Sequence, residues 1–133
     1  MSNIRIDNIA DGTTSVASTY VVNGSTKVWV NFNGTGTPAI RGSMNVGSIT
    51  DNGTGLYTVN FTTAMPDINY SAIASTRRNN GTVGENNANQ GVSFRGLSGY
   101  STAFTTTAVQ LLSGVITGES AYDSDFVAVQ ITR

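Results

Sequence analysis

Histidine and cysteine are both absent from this chain. Without cysteine there is no disulfide, and without either residue there is no Cys/His zinc site. The lack of histidine also removes the usual general base of a nucleophilic triad. Charge is scarce: 11% of residues are Asp, Glu, Lys or Arg, the net charge is -1, and Lys27 is the sole lysine. A nucleic-acid partner calls for clustered Lys and Arg, and an interfacial membrane segment calls for a basic face, so both are excluded as expectations. No apolar run approaches the length of a transmembrane helix, so no membrane insertion is expected. Met1 to Asp11 lacks the basic-then-apolar pattern of a signal peptide. The expectation is a protein that begins close to Met1 and is made in a cytoplasm.

Nearly half of the residues are Ser, Thr, Asn or Gly. Such a composition can mean disorder, but Val, Ile, Phe, Tyr and Trp recur here with period two, which disordered tails do not show. Thr-rich pleated surfaces fit better, since Thr is β-branched. Solubility then rests on hydroxyls and amides, which suits a rigid part of a larger assembly better than a free monomer. Four Asn-Gly steps, at Asn23, Asn33, Asn52 and Asn80, punctuate the chain. Asn and Gly tolerate the positive φ of tight hairpin turns.

Lys27 to Asn33 is the clearest strand, with Val28, Val30 and Phe32 on one face and Trp29, Asn31 and Asn33 on the other. Leu56 to Thr62 alternates in the same way and forms a hairpin with the preceding residues, its tip at Asn52-Gly53. Thr19 to Val22 reads as a brief strand closed by Asn23-Gly24, and Ala39 to Val46 as a strand bent at Gly42. Tyr70 to Arg77, Val92 to Leu97, Ala103 to Leu111 and Phe126 to Arg133 complete the strands, while Arg78 to Gln90 is a long polar loop. The expected fold is all-β: an antiparallel β-sandwich or jelly-roll-like domain over residues 19–133, preceded by a short extended arm, residues 1–18. The two glycine-rich hairpins resemble each other, but two copies do not make a solenoid.

No catalytic, cofactor-binding or metal-ligating residue emerges. Gly96-Leu97-Ser98-Gly99 has the wrong spacing for a nucleophile elbow, and Gly34-Thr35-Gly36 lacks the Lys and helix of a phosphate loop. Glu119, Asp123 and Asp125 cluster in one segment and carry oxygen donors suited to calcium, but a solvated turn accounts for them more simply. A glycosidase would need two carboxylates at a set separation, and the remaining acids, Asp7, Asp11, Asp51, Asp67 and Glu85, sit mostly in turn contexts. The Asn-x-Ser/Thr triplets, such as Asn23-Gly24-Ser25, read as turns.

Contact residues are therefore the candidates. Trp29 is either an exposed aromatic that stacks on sugars or anchors an interface, or a core residue of a second sheet face. Tyr100 and Tyr122 are of the same kind. Arg77 and Arg78 suit an acidic partner, although a plain solvated pair accounts for them more simply, and with Asn79, Asn80, Asn86 and Asn87 they mark the polar loop as a contact surface. Ile4, Ile6 and Ile9 give the arm an apolar series for docking on a neighbouring subunit or on its own domain.

Lys27-Val28-Trp29-Val30-Asn31-Phe32-Asn33-Gly34-Thr35-Gly36-Thr37, then Ser48-Ile49-Thr50-Asp51-Asn52-Gly53-Thr54-Gly55, Tyr57-Thr58-Val59-Asn60-Phe61 and Ala64-Met65-Pro66-Asp67, form a distinctive block. With Tyr20-Val21-Val22-Asn23-Gly24-Ser25 before it, the block resembles a module near the C-terminal end of bacteriophage tail-fibre and related virion proteins. The resemblance covers about Thr19 to Tyr70. It implies a β-rich virion structural protein, commonly a homotrimer, that contacts other virion proteins and displays loops to a host-cell glycan or protein. Members of that family often carry a long shaft before the module, whereas here a short arm precedes it, which brings in a compact tip, a tail appendage or a capsid decoration protein. The matched motif contains no catalytic residue. A carbohydrate-processing enzyme using Glu119, Asp123 and Asp125 is the third reading.

Overall fold

The computed structural model describes residues 6–77, 90–96, 103–115 and 121–133. Among the described residues, ten strands and one helix follow in the order β1 (Asn8–Ala10), β2 (Ser15–Ala17), α1 (Ser18–Gly24), β3 (Thr26–Asn33), β4 (Ala39–Met44), β5 (Val46–Gly53), β6 (Leu56–Phe61), β7 (Ser71–Arg77), β8 (Gln90–Phe94), β9 (Ala108–Val115) and β10 (Phe126–Thr132). The last eight strands make two packed antiparallel sheets, ordered β4-β3-β10-β7 and β5-β6-β9-β8, so the fold is an all-β sandwich. A separate small hairpin, β1-β2, stands at the N-terminal side.

Period two decides which residues fill the core. From the first sheet, Val28, Val30, Phe32, Val127, Val129 and Ile131 point inward and are buried. From the second come Tyr57, Val59, Val109 and Leu111. Burying each such aliphatic side chain contributes roughly 1.5–3 kcal/mol, and that gain outweighs the propensities of the polar residues between them. One end of the core is aromatic: Tyr70 packs on Phe61, at 6.1 Å between ring centroids, and on Phe104, at 5.4 Å. The other end is built from hydroxyls and carbonyls.

Three expected strands and one turn come out differently. The β5–β6 hairpin turns at Thr54-Gly55, with Asn52-Gly53 ending β5, and the strand expected over Ala103 to Leu111 is β9, which begins only at Ala108. Residues 19–22 lie in the helix α1, not in a strand. A hairpin through Asn23-Gly24 would pair them with β3, but β4 and β10 already occupy both edges of β3. With no free edge to pair with, the segment satisfies its backbone within a helical turn. Ala39 to Val46 is two strands, not one. The chain leaves the first sheet after Met44 and enters the second at Val46. Asn45 makes the crossing with φ 58°, a left-handed conformation that Asn accepts more readily than most residues. Its side chain holds the corner, accepting from the Thr63 N–H at 2.7 Å and donating to the Thr63 carbonyl at 3.1 Å. The expected bend near Gly42 is present as a bulge: Gly42 faces Asn31 and Ile40 faces Phe32, leaving Arg41 unpaired between them.

Candidate functional site

Strand register brings the outward side chains of the first sheet into rows. Met44, Trp29, Gln130 and Ile73 lie across β4, β3, β10 and β7 in one row. Gly42, Asn31, Ala128 and Ser75 make the next. Three of the first four are large and apolar, and all three stay exposed: Trp29 at 40%, Met44 at 41% and Ile73 at 64%. Val28 and Val30 beside Trp29 are buried in the core and Ala72 and Ala74 beside Ile73 are half-buried, so the pleat turns Trp29 and Ile73 away from the sandwich interior.

The Trp29 ring rests on the β4 backbone. A Cβ built on Gly42 would lie 3.2 Å from the indole Cη2, so the missing side chain is what lets the ring settle there. Between Trp29 and Ile73 the surface dips into a hollow of about 400 Å³. Its lining is formed by Trp29, Asn31, Ile73, Ser75, Ala128 and Gln130, together with backbone of the intervening core residues. None of these six side chains is ionisable. The Asn31 side-chain oxygen Oδ1 accepts from Arg41 at 3.4 Å, and Gln130 donates its amide to the Thr26 hydroxyl at 2.9 Å. Lys27 turns to the carbonyls of Val22 and Ser25.

The polar end of the core is the second notable cluster. Tyr57 is fully buried, and its hydroxyl is shared between the Gly34 carbonyl at 2.9 Å and Asp123 Oδ1 at 3.0 Å. Asp123 Oδ1 also accepts from the Gly55 N–H at 2.8 Å. Burial, with Asp123 beside it, pushes the Tyr57 hydroxyl well above the ordinary tyrosine pKa, so it remains a neutral donor. Ser113 and Ser124 are buried with their hydroxyls 2.5 Å apart, and Thr76 reaches Ser113 at 3.2 Å. These groups satisfy one another and the strand ends around them, as buried polar groups must. No ionisable base adjoins the hydroxyls among the described residues other than Asp123, which is already engaged by two donors.

The candidates taken from the sequence scatter. Trp29 is on the outer sheet face, which favours its reading as an exposed aromatic over that of a core residue. Arg77 ends β7, pairs with Asp125 at 2.9 Å and lies 6.0 Å from the Phe126 ring centroid. Tyr122 is only 8% exposed, so its ring belongs to the protein interior and not to a stacking surface. Ile6 and Ile9 are exposed, at 52% and 46%. Ile4, Arg78, Asn79, Asn80, Asn86, Asn87 and Tyr100 lie outside the described residues, as does Glu119. Asp123 and Asp125 each serve a protein partner, the first Tyr57 and Gly55, the second Arg77. The described residues hold no group of three or more potential metal ligands.

Sequence reasoning missed Ile73, Met44, Gln130 and Asn31 as companions of Trp29. Ile73 carried a signal: a large apolar residue set between Ala72 and Ala74, whose own faces are half-buried. The others become visible only once the register is known. Set beside known proteins, the chain matches no family model, no curated protein and no solved structure.

Proposed function

We propose that this chain is a bacteriophage virion structural protein of the tail-fibre type, a non-enzymatic module that assembles on the particle and displays a binding surface to the host cell. The observation that carries a binding role is the exposed row of Trp29, Met44 and Ile73 on a rigid sheet face. Apolar side chains gathered in one exposed patch mark interaction surfaces, and tryptophan is the side chain most enriched at binding hot spots. The tail-fibre assignment itself rests on the resemblance of residues 19–70. The arm supports assembly. Ile6, Ile9 and Val16 in the arm, and Tyr20, Val21 and Val22 in the adjoining helix α1, are all exposed. A hairpin with strands of three residues and a helix of seven are each too short to be stable alone in water. Docking of the arm on a sister subunit, in a trimer, or on another virion protein supplies the missing contacts.

Light scattering coupled to chromatography tests the assembly, and an antibody against the chain tests its place on the particle. The expected results are an oligomer and a signal on the tail. Signal confined to the head assigns the chain as a capsid decoration protein instead. A stable dilute monomer with no affinity for virions or cells overturns both. The enzyme reading is tested by replacing Asp123 and Asp125 together with Glu119 and following polysaccharide turnover, which is expected not to change.

A further inference from the structure

We infer that the hollow between Trp29 and Ile73 is a binding site for a neutral sugar, with the Trp29 indole as stacking platform and the Asn31 and Gln130 amides as its hydrogen-bonding pair. The inference rests on the reading of the chain as a surface-displayed binding module and names the chemistry of its ligand.

Three features point to a sugar. The first is the platform. Gly42 lets the indole rest against the β4 backbone, and Trp29 as a residue stays 40% exposed. A pyranose ring presents an apolar C–H face that covers such a surface, and the positive C–H edge meets the negative aromatic face. The second is the pair of amides. Asn31 has its oxygen occupied by Arg41, which leaves its NH2 as a donor. Gln130 has its NH2 occupied by Thr26, which leaves its oxygen as an acceptor. Ser75 adds a hydroxyl to the same lining. A sugar hydroxyl both donates and accepts, so vicinal hydroxyls match a neighbouring donor and acceptor. The third is charge. The six lining side chains are neutral, and the flanking cations are each turned to a protein oxygen, Arg41 to Asn31 and Lys27 to Val22 and Ser25. None of the lining side chains supplies a counter-charge to a carboxylate, and the one cation that touches the lining, Arg41, meets it through the neutral Asn31 amide.

Shape separates this ligand from a protein partner. The hollow's volume of about 400 Å³ falls in the small-molecule class. A protein interface would instead need roughly 800 Å² of matched surface on this chain. Single-site affinity for a hydrophilic ligand on an open surface is weak, with Kd on the order of 1 mM, and repeated copies on one particle offset that through avidity.

The chain supplies its own probe, because Trp29 is its single tryptophan. Selective indole fluorescence of the full-length protein is titrated with neutral malto-, cello-, chito- and galacto-oligosaccharides. The expected result is a saturable change with at least one series, weakened about tenfold by Asn31→Ala and by Gln130→Ala, each of which removes one hydrogen bond to the ligand. Both positions lie on the outer face, and unfolding curves of the variants establish that they fold. No change with any series at millimolar sugar overturns the inference, as does a full response in both variants. A response confined to sugars bearing carboxylates overturns the neutral assignment in favour of Arg41 and Lys27. A fluorescence change that follows protein concentration alone assigns the face to a second copy of the chain. Particle labelling is scored separately. A failed titration with labelled virions removes the sugar and leaves the virion reading, and a sugar response with unlabelled virions does the reverse.

Discussion

The Tyr57 hydroxyl on β6 lies 2.9 Å from the Gly34 carbonyl just beyond β3, and so ties the end of one sheet to the other. Around this bond the sandwich closes without apolar side chains: Gly34 N–H donates to the Ser124 carbonyl at 2.8 Å, and Ser113 N–H donates to the Gly55 carbonyl at 2.8 Å. The phenol ring meanwhile packs edge-on against Phe32, with centroids 5.2 Å apart. One residue thus serves the aromatic core and the polar seam together.

Tyr57→Phe keeps the ring and removes the donor. The buried Gly34 carbonyl and the half-buried Asp123 Oδ1 each lose a partner. The expected loss is about 1–3 kcal/mol. Urea unfolding checks this, with a lower midpoint and an unchanged slope as the expected outcome.

Alkaline pH is expected to weaken the fold through the same residue. Burial holds the Tyr57 hydroxyl neutral to a higher pH in the folded chain than in the unfolded one, and burial shifts Tyr70 the same way. Above about pH 10, the ordinary tyrosine value, the unfolded state releases a proton that the folded state keeps. The unfolded state then binds fewer protons, so stability is full below that pH and falls as pH rises beyond it. Thermal unfolding from pH 8 to about pH 11 measures the decline, and Tyr57→Phe is expected to make it shallower.

Gly55→Ala and Gly53→Ala separate backbone strain from collision. Both glycines have positive φ, 69° and 124°. A Cβ on Gly53 meets open space, whereas one on Gly55 falls 2.4 Å from the Ser113 carbonyl oxygen and 2.8 Å from that of Tyr122. Gly53→Ala is expected to cost about 1–2 kcal/mol from φ alone. Gly55→Ala adds an overpacking cost, for a total of at least about 3 kcal/mol. Chemical denaturation of the pair is the check.

Trp29→Ala and Val30→Ala test the two faces of one strand. Val30 is 1% exposed and its truncation leaves a cavity, with an expected loss of about 2 kcal/mol. Trp29 sits on the outer face at 40% exposure, and its removal is expected to cost less than about 1 kcal/mol despite the larger side chain. A larger loss for Trp29 than for Val30 would make Trp29 a structural residue.

The alternation in Lys27–Asn33, Leu56–Phe61 and Phe126–Thr132 was readable because the pleat sends successive side chains to opposite faces, and burial of one face leaves its mark in the sequence. Trp29 could be set opposite Val28 and Val30 on that ground, though whether its face met solvent or a second layer stayed open until the structure exposed it. Its companions could not. Ile73 and Gln130 lie 44 and 101 positions farther along, and only the pairing of β10 between β3 and β7 sets them beside Trp29. Tyr122 looked like Tyr100 in sequence, both small-residue loop aromatics. Its burial comes from the corner where its N–H donates to the Ser113 carbonyl at 3.2 Å. The helix α1 carries no side-chain cap and no acidic residue in its first turn, so it left no signal to read.

Composition and period two by themselves determined an all-β chain, the inward sets of its strongest strands, and a β5–β6 hairpin, because those depend on contacts a few residues apart; the turn itself falls at Thr54-Gly55, with Asn52-Gly53 at the end of β5. Strand order was decided only by the tertiary structure. Inserting β10 between β3 and β7 occupies the edge that residues 19–22 would have used, and it assembles the hollow beside Trp29. Pairing across such separations is selected by how well whole sheets bury one another, a quantity that no local window of sequence contains.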